Sequence, residues 1–320
     1  MRDFSPWKSF NDHFGAIMNS RKIHLPGITS GAVRKSLLTV SIVALLSACG
    51  GGNDSSTSMS SNDSGNNGSI SASPTPDDAA KILAIALQAL LANSPAEQKY
   101  FDTSSSGTSN CTDSGTITIT DSENNDAYSS AVSFDQCLES DTYIDGAFKV
   151  ESTSNQTTYT YGTNSSDGAL LTEDRGNAKI RTLLSGTSSI KEIGQGDQHD
   201  HEAITNINGR IERLAKSMGQ GFDLRDLRSI IKDVEAPVSD TTFTGNYSFN
   251  GDCITEAGTI STPTAIKLND KSEFTGGQVS ISTSKGNATL TFNSDASVKI
   301  DASGGSKTYT KEQIQQICGI

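Results

Sequence analysis

The stretch Gly115-Thr-Ile-Thr-Ile-Thr120 alternates isoleucine with threonine, and that period of two most constrains what this chain can fold into. Successive side chains of an extended strand point to opposite faces, so Ile117 and Ile119 share one face and the threonines the other. β-branched residues suit such a half-solvated strand. The pattern returns in Thr242-Phe-Thr-Gly-Asn-Tyr-Ser-Phe249, which aligns Phe243, Tyr247 and Phe249, and in Ser297-Val-Lys-Ile-Asp301. The clearest hairpin joins residues 278–283 to 288–292 across Lys285-Gly286, a turn that sets Ile281 opposite Leu290 and Val279 opposite Phe292. These segments predict a mainly β, antiparallel domain with one wet face, either a sandwich or an open barrel. Residues 203–235 read two ways. Ile207, Ile211, Leu214 and Met218, then Leu224, Leu227, Ile231 and Val234, fall at helical spacing, whereas Gly209 and the short polar interruptions suit strands.

Ahead of the alternating segments lies PDDAAKILAIALQALLANSP, which predicts a helix over residues 77–96. Asp77 and Asp78 serve as cap and dipole partners at its start, and Pro95 stops it. A helix apolar almost all round must be covered, and at about 21 Å residues 79–92 are short for a membrane span. The expected cover is its own domain; the alternative is a membrane interface or a partner.

Residues 34–56, RKSLLTVSIVALLSACGGGNDSS, place a basic pair before an apolar run of 13 residues and a cysteine. As a helix that run measures about 20 Å, too short to span a bilayer but right for a secretory signal peptide. Leu46-Ser47-Ala48-Cys49 resembles the lipobox of bacterial lipoproteins. The resemblance covers residues 18–49 and implies that Cys49 carries lipid, that residues 1–48 are removed, and, with Gly50 after the cysteine, that the product goes to the outer membrane. The acidic and aromatic residues 1–17 add nothing to a signal n-region, whereas a leader from Met18 is basic and free of acids, so translation is expected to begin at Met18. A precursor peptide containing Trp7, sought by mass spectrometry, tests this.

Removing residues 1–48 takes away six basic and two acidic residues, which carries the net charge from −12 to −16. Such a chain has no electrostatic attraction for nucleic acid. Residues 49–76 supply the lipidated cysteine and a Gly/Ser/Asn tether that cannot offset its own ordering entropy, spanning typically about 30 Å. Residues 97–320 form the β-rich domain.

Four cysteines remain, Cys111, Cys137, Cys253 and Cys318, and an even number in an exported chain predicts two disulfides. A hairpin centred on Asn124 sets Gly115 against Ser133, Thr120 against Tyr128 and Cys111 against Cys137. Cys253 then joins Cys318 by elimination, tying the strand after Phe249 to a short helix over 311–317.

Candidate chemistry is sparse. His199 and His201 in GDQHDHE, at strand spacing, are weak metal candidates without a third ligand fixed by spacing. Asp121-Ser-Glu-Asn-Asn-Asp126 begins like an EF-hand loop, but its sixth position is Asp126 rather than glycine and its twelfth Val132 rather than glutamate, so a polar hairpin turn is expected. Ser188-Ser-Ile-Lys191 and Ser282-Thr-Ser-Lys285 have S-x-x-K spacing without its partner motifs. G-x-S-x-G, H-E-x-x-H, Walker and C-x-x-C motifs are absent. No cofactor and no catalytic residue are expected. The chain reads as a lipid-anchored, non-catalytic envelope protein with an envelope protein as partner; the alternative is a carrier of an apolar ligand, with residues 82–91 as plug or docking face.

Overall fold

The computed structural model describes residues 74–103, 106–124, 127–162, 169–176, 179–193, 200–235, 238–268 and 274–318. Cys49, the tether before Pro74, and His199 lie outside them.

Helix α1 (Pro76–Leu91) starts with a capping box in which the Thr75 hydroxyl accepts from the Asp78 amide at 3.1 Å and the Asp78 carboxylate accepts from the Thr75 amide, with proline in the first turn. The chain turns at Ala92-Asn93 and enters a second helix, α2 (Ser94–Asp102), with Pro95 in its first turn. Proline was expected to stop the helix; it also opens the next, because its missing N–H costs nothing there.

Fifteen strands follow: β1 (Gly107–Asn110), β2 (Ser114–Asn124), β3 (Ala127–Glu139), β4 (Thr142–Ser152), β5 (Gln156–Tyr161), β6 (Leu170–Asp174), β7 (Ile180–Glu192), β8 (His201–Arg213), β9 (Met218–Glu235), β10 (Val238–Gly251), β11 (Glu256–Leu268), β12 (Phe274–Thr283), β13 (Gly286–Phe292), β14 (Val298–Ala302) and β15 (Gly305–Tyr309). A short helix, α3 (Lys311–Gln316), closes the described chain. Residues 203–235 are therefore strands.

Among the described residues all fifteen strands belong to one antiparallel sheet in which chain neighbours pair, β5 and β6 excepted, so the architecture is a meander. One lane is divided. β5 and β6 both lie between β4 and β7: β5 pairs residues 148–152 of β4 with 186–191 of β7, and β6 pairs residues 142–145 with 181–184. Gly146 (φ +99°) and Gly186 (φ +123°) flank the break; a Cβ on Gly146 would lie 2.6 Å from the Ala169 carbonyl oxygen, and one on Gly186 2.1 Å from that of Asn206. The sheet's edges, β1 and β15, are four and five residues long, and short edges limit unwanted pairing.

A sheet this wide must curl, and α1 touches both β9 and β14. Its inward side chains, among them Ile117, Phe148, Leu184, Ile211, Leu224, Phe249, Val279 and Leu290, form one core with α1. Ala79, Ala80, Ile82, Ile85 and Ala89 of the helix are fully buried. The all-round apolar helix is thus covered by its own domain. Its buried leucines and isoleucines each contribute about 1.5–3 kcal/mol of transfer free energy, an upper figure because the unfolded chain is partly collapsed.

Candidate functional site

The four cysteines come together as two disulfides, Cys111–Cys137 and Cys253–Cys318, with Cα separations of 5.5 and 5.4 Å. The pairing is the expected one, but the local register is not. β2 and β3 set Thr116 against Asp135, Thr120 against Ala131 and Asn124 against Ala127, three residues away from the expected hairpin. Cys111 lies in the turn between β1 and β2, its amide donating to the Gly115 carbonyl at 3.0 Å. An irregularity at Asp135-Gln136, with Gln136 at φ +51°, turns Cys137 into the core three residues after Phe134. The second bridge joins the turn after β10 to the end of α3. Buried Gln220 secures that turn: its carbonyl accepts from the Cys253 and Ile254 amides, each at 3.2 Å, and its amide donates to the Ile254 carbonyl at 3.1 Å.

Closing chain separations of 26 and 65 residues, the bridges remove about 3.5 and about 4.4 kcal/mol of unfolded-state entropy, less any native strain. The double replacement Cys253→Ala/Cys318→Ala is expected to destabilise the protein by up to about 4 kcal/mol, at least as much as Cys111→Ala/Cys137→Ala. Denaturant titration of each variant measures this; a clearly more stable Cys253/Cys318 variant contradicts the ranking.

The weak metal candidates do not form a described site. His201 opens β8, buried and facing Ile231, while Glu202 on the opposite side pairs with Arg228. Among the described residues the one cluster with metal-ligand chemistry is Cys111, Cys137 and Glu139, whose thiols are consumed in the disulfide. The two oxygens of Glu139 are engaged as well, by Lys99 at 2.5 Å and by the Thr112 amide and hydroxyl at 2.9 and 2.5 Å. These contacts lower its carboxyl affinity for protons against an opposing burial effect.

Of the EF-hand-like stretch, Asp121 to Asn124 are strand in β2, Asn125 and Asp126 lie outside the described residues, and the Asp121 carboxylate accepts from the Tyr128 hydroxyl at 2.7 Å. Neither S-x-x-K makes a nucleophile pair. Ser188 is buried against the Thr205 hydroxyl at 3.1 Å while Lys191 is exposed, and Lys285 pairs with Glu256 at 2.8 Å.

Residues that spacing did not single out carry the most unusual chemistry. At the corner between α1 and α2, the Glu97 carboxylate oxygen accepts from the Tyr161 hydroxyl at 2.5 Å and from the Asn93 amide at 2.8 Å, while Asn93 also donates to the Tyr161 oxygen at 2.7 Å. All three residues are buried. Burial pushes the Glu97 carboxyl up to about 7, although both hydrogen bonds favour the ionised form. Burial, then Glu97 itself, also raises the Tyr161 phenol well above its ordinary range. The available signal was Asn-Ser-Pro-Ala-Glu, a helix start with an acid in its first turn; nothing in it marks the acid as buried. At the other end of α1, Asp77 accepts from Lys307 at 2.8 Å and from the Tyr309 hydroxyl, which lowers its proton affinity.

Fold and contacts define a disulfide-stapled antiparallel β meander curled on an apolar helix. Comparisons with protein-family models, with curated proteins and with solved structures found no match.

Proposed function

We propose that this chain is a bacterial lipoprotein of the cell envelope, held to the outer membrane by lipid on Cys49, and that its β domain serves a structural or interaction role without catalysis. The observation that carries this reading is the pair of disulfides, because such bridges persist in oxidising compartments and the cysteines that form them follow an export leader. The shared core of helix and sheet favours this role over that of a carrier. α1 lays its apolar side chains on the inner face of the sheet, where a carrier of an apolar ligand needs space. The outer face of β6 to β9 bears ion pairs, Glu173 with Arg175 and Arg181, Glu212 with Arg181 and Arg210, and Asp223 with Arg225. Glu173 is itself buried, but the pairs of Glu212 and Asp223 are more open, and open pairs contribute at most about 1 kcal/mol each to stability, so their chemistry bears on solubility and partner choice.

Metabolic labelling with palmitate followed by envelope fractionation tests the proposal. The expected result is labelled protein in the outer-membrane fraction, with Cys111–Cys137 and Cys253–Cys318 peptides recovered under non-reducing digestion. Unlabelled protein in the cytosolic fraction with four free thiols overturns it.

A further inference from the structure

The break in the sheet between β5 and β6 has a lid. Tyr161 is the last residue of β5, and its hydroxyl reaches Glu97 and Asn93 on the helical corner. On the other side of the break, the Thr172 hydroxyl of β6 donates to the Ala92 carbonyl of the same corner at 3.1 Å. The corner is therefore bonded to both pieces of the divided lane. Tyr100 of α2 packs edge-on against Phe148 of β4, with ring centroids 5.7 Å apart, so the apolar side of the lid closes over the same strands.

Among the described residues no cation pairs with Glu97. Lys99, the one cation on its helix, is turned to Glu139. β5 presents the Tyr161 phenol with Tyr159 stacked behind it, and β6 presents the neutral Thr172. On β4, Lys149 pairs with Glu151, Asp145 accepts from the Gln136 amide at 3.2 Å, and Tyr143 packs under Arg175. Of the two acids of β6, Glu173 pairs with Arg175 just past the strand and with Arg181 of β7, and Asp174 accepts from the Gly176 amide at 2.8 Å. A buried carboxylate met only by one phenol and one amide, with no positive charge to offset its desolvation, is held more comfortably as the neutral acid.

We propose that Glu97 is a proton-operated latch: its neutral carboxyl holds the α1–α2 corner over the break between β5 and β6, and its ionisation lets that corner lift. The direction follows from proton linkage. The docked carboxyl binds a proton up to about pH 7 and the released one to its ordinary 4.5, so docking is strongest below about 4.5. It weakens as pH rises between those values and stays weak above about 7. The pH change acts on the end of α1, whose apolar side chains the lifted corner begins to uncover.

Hydrogen exchange of peptides from residues 76–102, measured on the intact chain and corrected for intrinsic rates, reads this directly. Between pH 5 and 8 the wild-type protein is expected to lose protection there by on the order of tenfold to a hundredfold relative to Glu97→Gln, whose protection stays level. Tyr161→Phe removes a donor that favours the ionised form, so its midpoint moves to higher pH. Equal pH profiles for wild type and Glu97→Gln overturn the latch. Should Glu97→Gln fail to fold, carbon NMR of labelled glutamate carboxyls in the wild-type chain decides: one carboxyl titrating near 7 sustains the proposal, and titration of every glutamate in the ordinary range overturns it.

Discussion

Ile85→Asp is expected to abolish the cooperative unfolding transition of the β domain, although the change lies in a helix and touches no strand hydrogen bond. Ile85 is fully buried at the middle of α1. Its loss forfeits roughly 2–3 kcal/mol of apolar burial, and the aspartate places a carboxylate among aliphatic side chains, adding several kcal/mol more whether it stays charged or takes a proton. Together these approach the whole of a typical domain's margin of about 5–15 kcal/mol. Ile85→Ala, which leaves a cavity without a charge, should cost about 2–5 kcal/mol and keep the transition. Lys81→Ala, partly exposed on the same helix, should stay within about 0.5 kcal/mol of wild type. Denaturant titration followed by circular dichroism measures all three. A wild-type midpoint for Ile85→Asp would mean that α1 is an appendage and that the sheet supplies its own core.

For the strands with clear alternation, such as β2, β10, β12, β13 and β14, the sequence discloses the inward face but not the register. Val279 and Ile281 lie inward with Leu290 and Phe292 as expected, yet the partners are Val279 with Leu290 and Ile281 with Ala288. The turn falls on Ser284-Lys285 because Gly286, at φ +135°, already pairs with Thr283. A slip of two residues preserves the face, so alternation alone does not detect it. In the first hairpin the shift is three, and there the apolar pattern held the answer: the observed pairing matches Ile117 with Phe134 and Ile119 with Val132, whereas centring on Asn124 set both isoleucines against small residues. The cysteine pair nevertheless survives, since Cys111 reaches Cys137 from a turn outside the ladder.

Residues 203–235 resembled a helix for a different reason. Leu224 and Leu227 are both inward although three apart, because the left-handed residue Asp226, at φ +49°, lies between them as an irregularity in β9. One extra residue converts a period of two into an i, i+3 step. Between the inward Ile207 and Ile211 stands Gly209, where a Cβ would lie 1.9 Å from the Leu183 carbonyl oxygen, so that inward position has no side chain to show. The Glu97 lid was hidden in another way. Tyr161 lies 64 residues beyond Glu97 and Thr172 80 residues beyond Ala92, and only the divided lane brings them to the corner.

Replacing Cys49 with serine is expected to move the protein from the detergent phase to the aqueous phase, or to leave it as a larger, uncleaved precursor. On the proposed reading the cysteine thiol is the acceptor of the first acyl chains, and a serine hydroxyl does not substitute in that chemistry. Each buried methylene contributes about 0.8 kcal/mol to membrane partition, so two or three chains anchor stably where one would exchange. The folded domain should be indifferent to the change. Cys49 lies 27 residues before Pro76, the four domain cysteines are bonded to one another, and α1 has its own cap in Thr75. Phase partition and gel mobility therefore separate anchoring from folding. An aqueous-phase Cys49→Ser protein with both disulfides intact shows a lipid tether on an independent domain. Continued detergent partition at wild-type mobility shows instead that the apolar leader or α1 holds the membrane, and the lipobox reading falls.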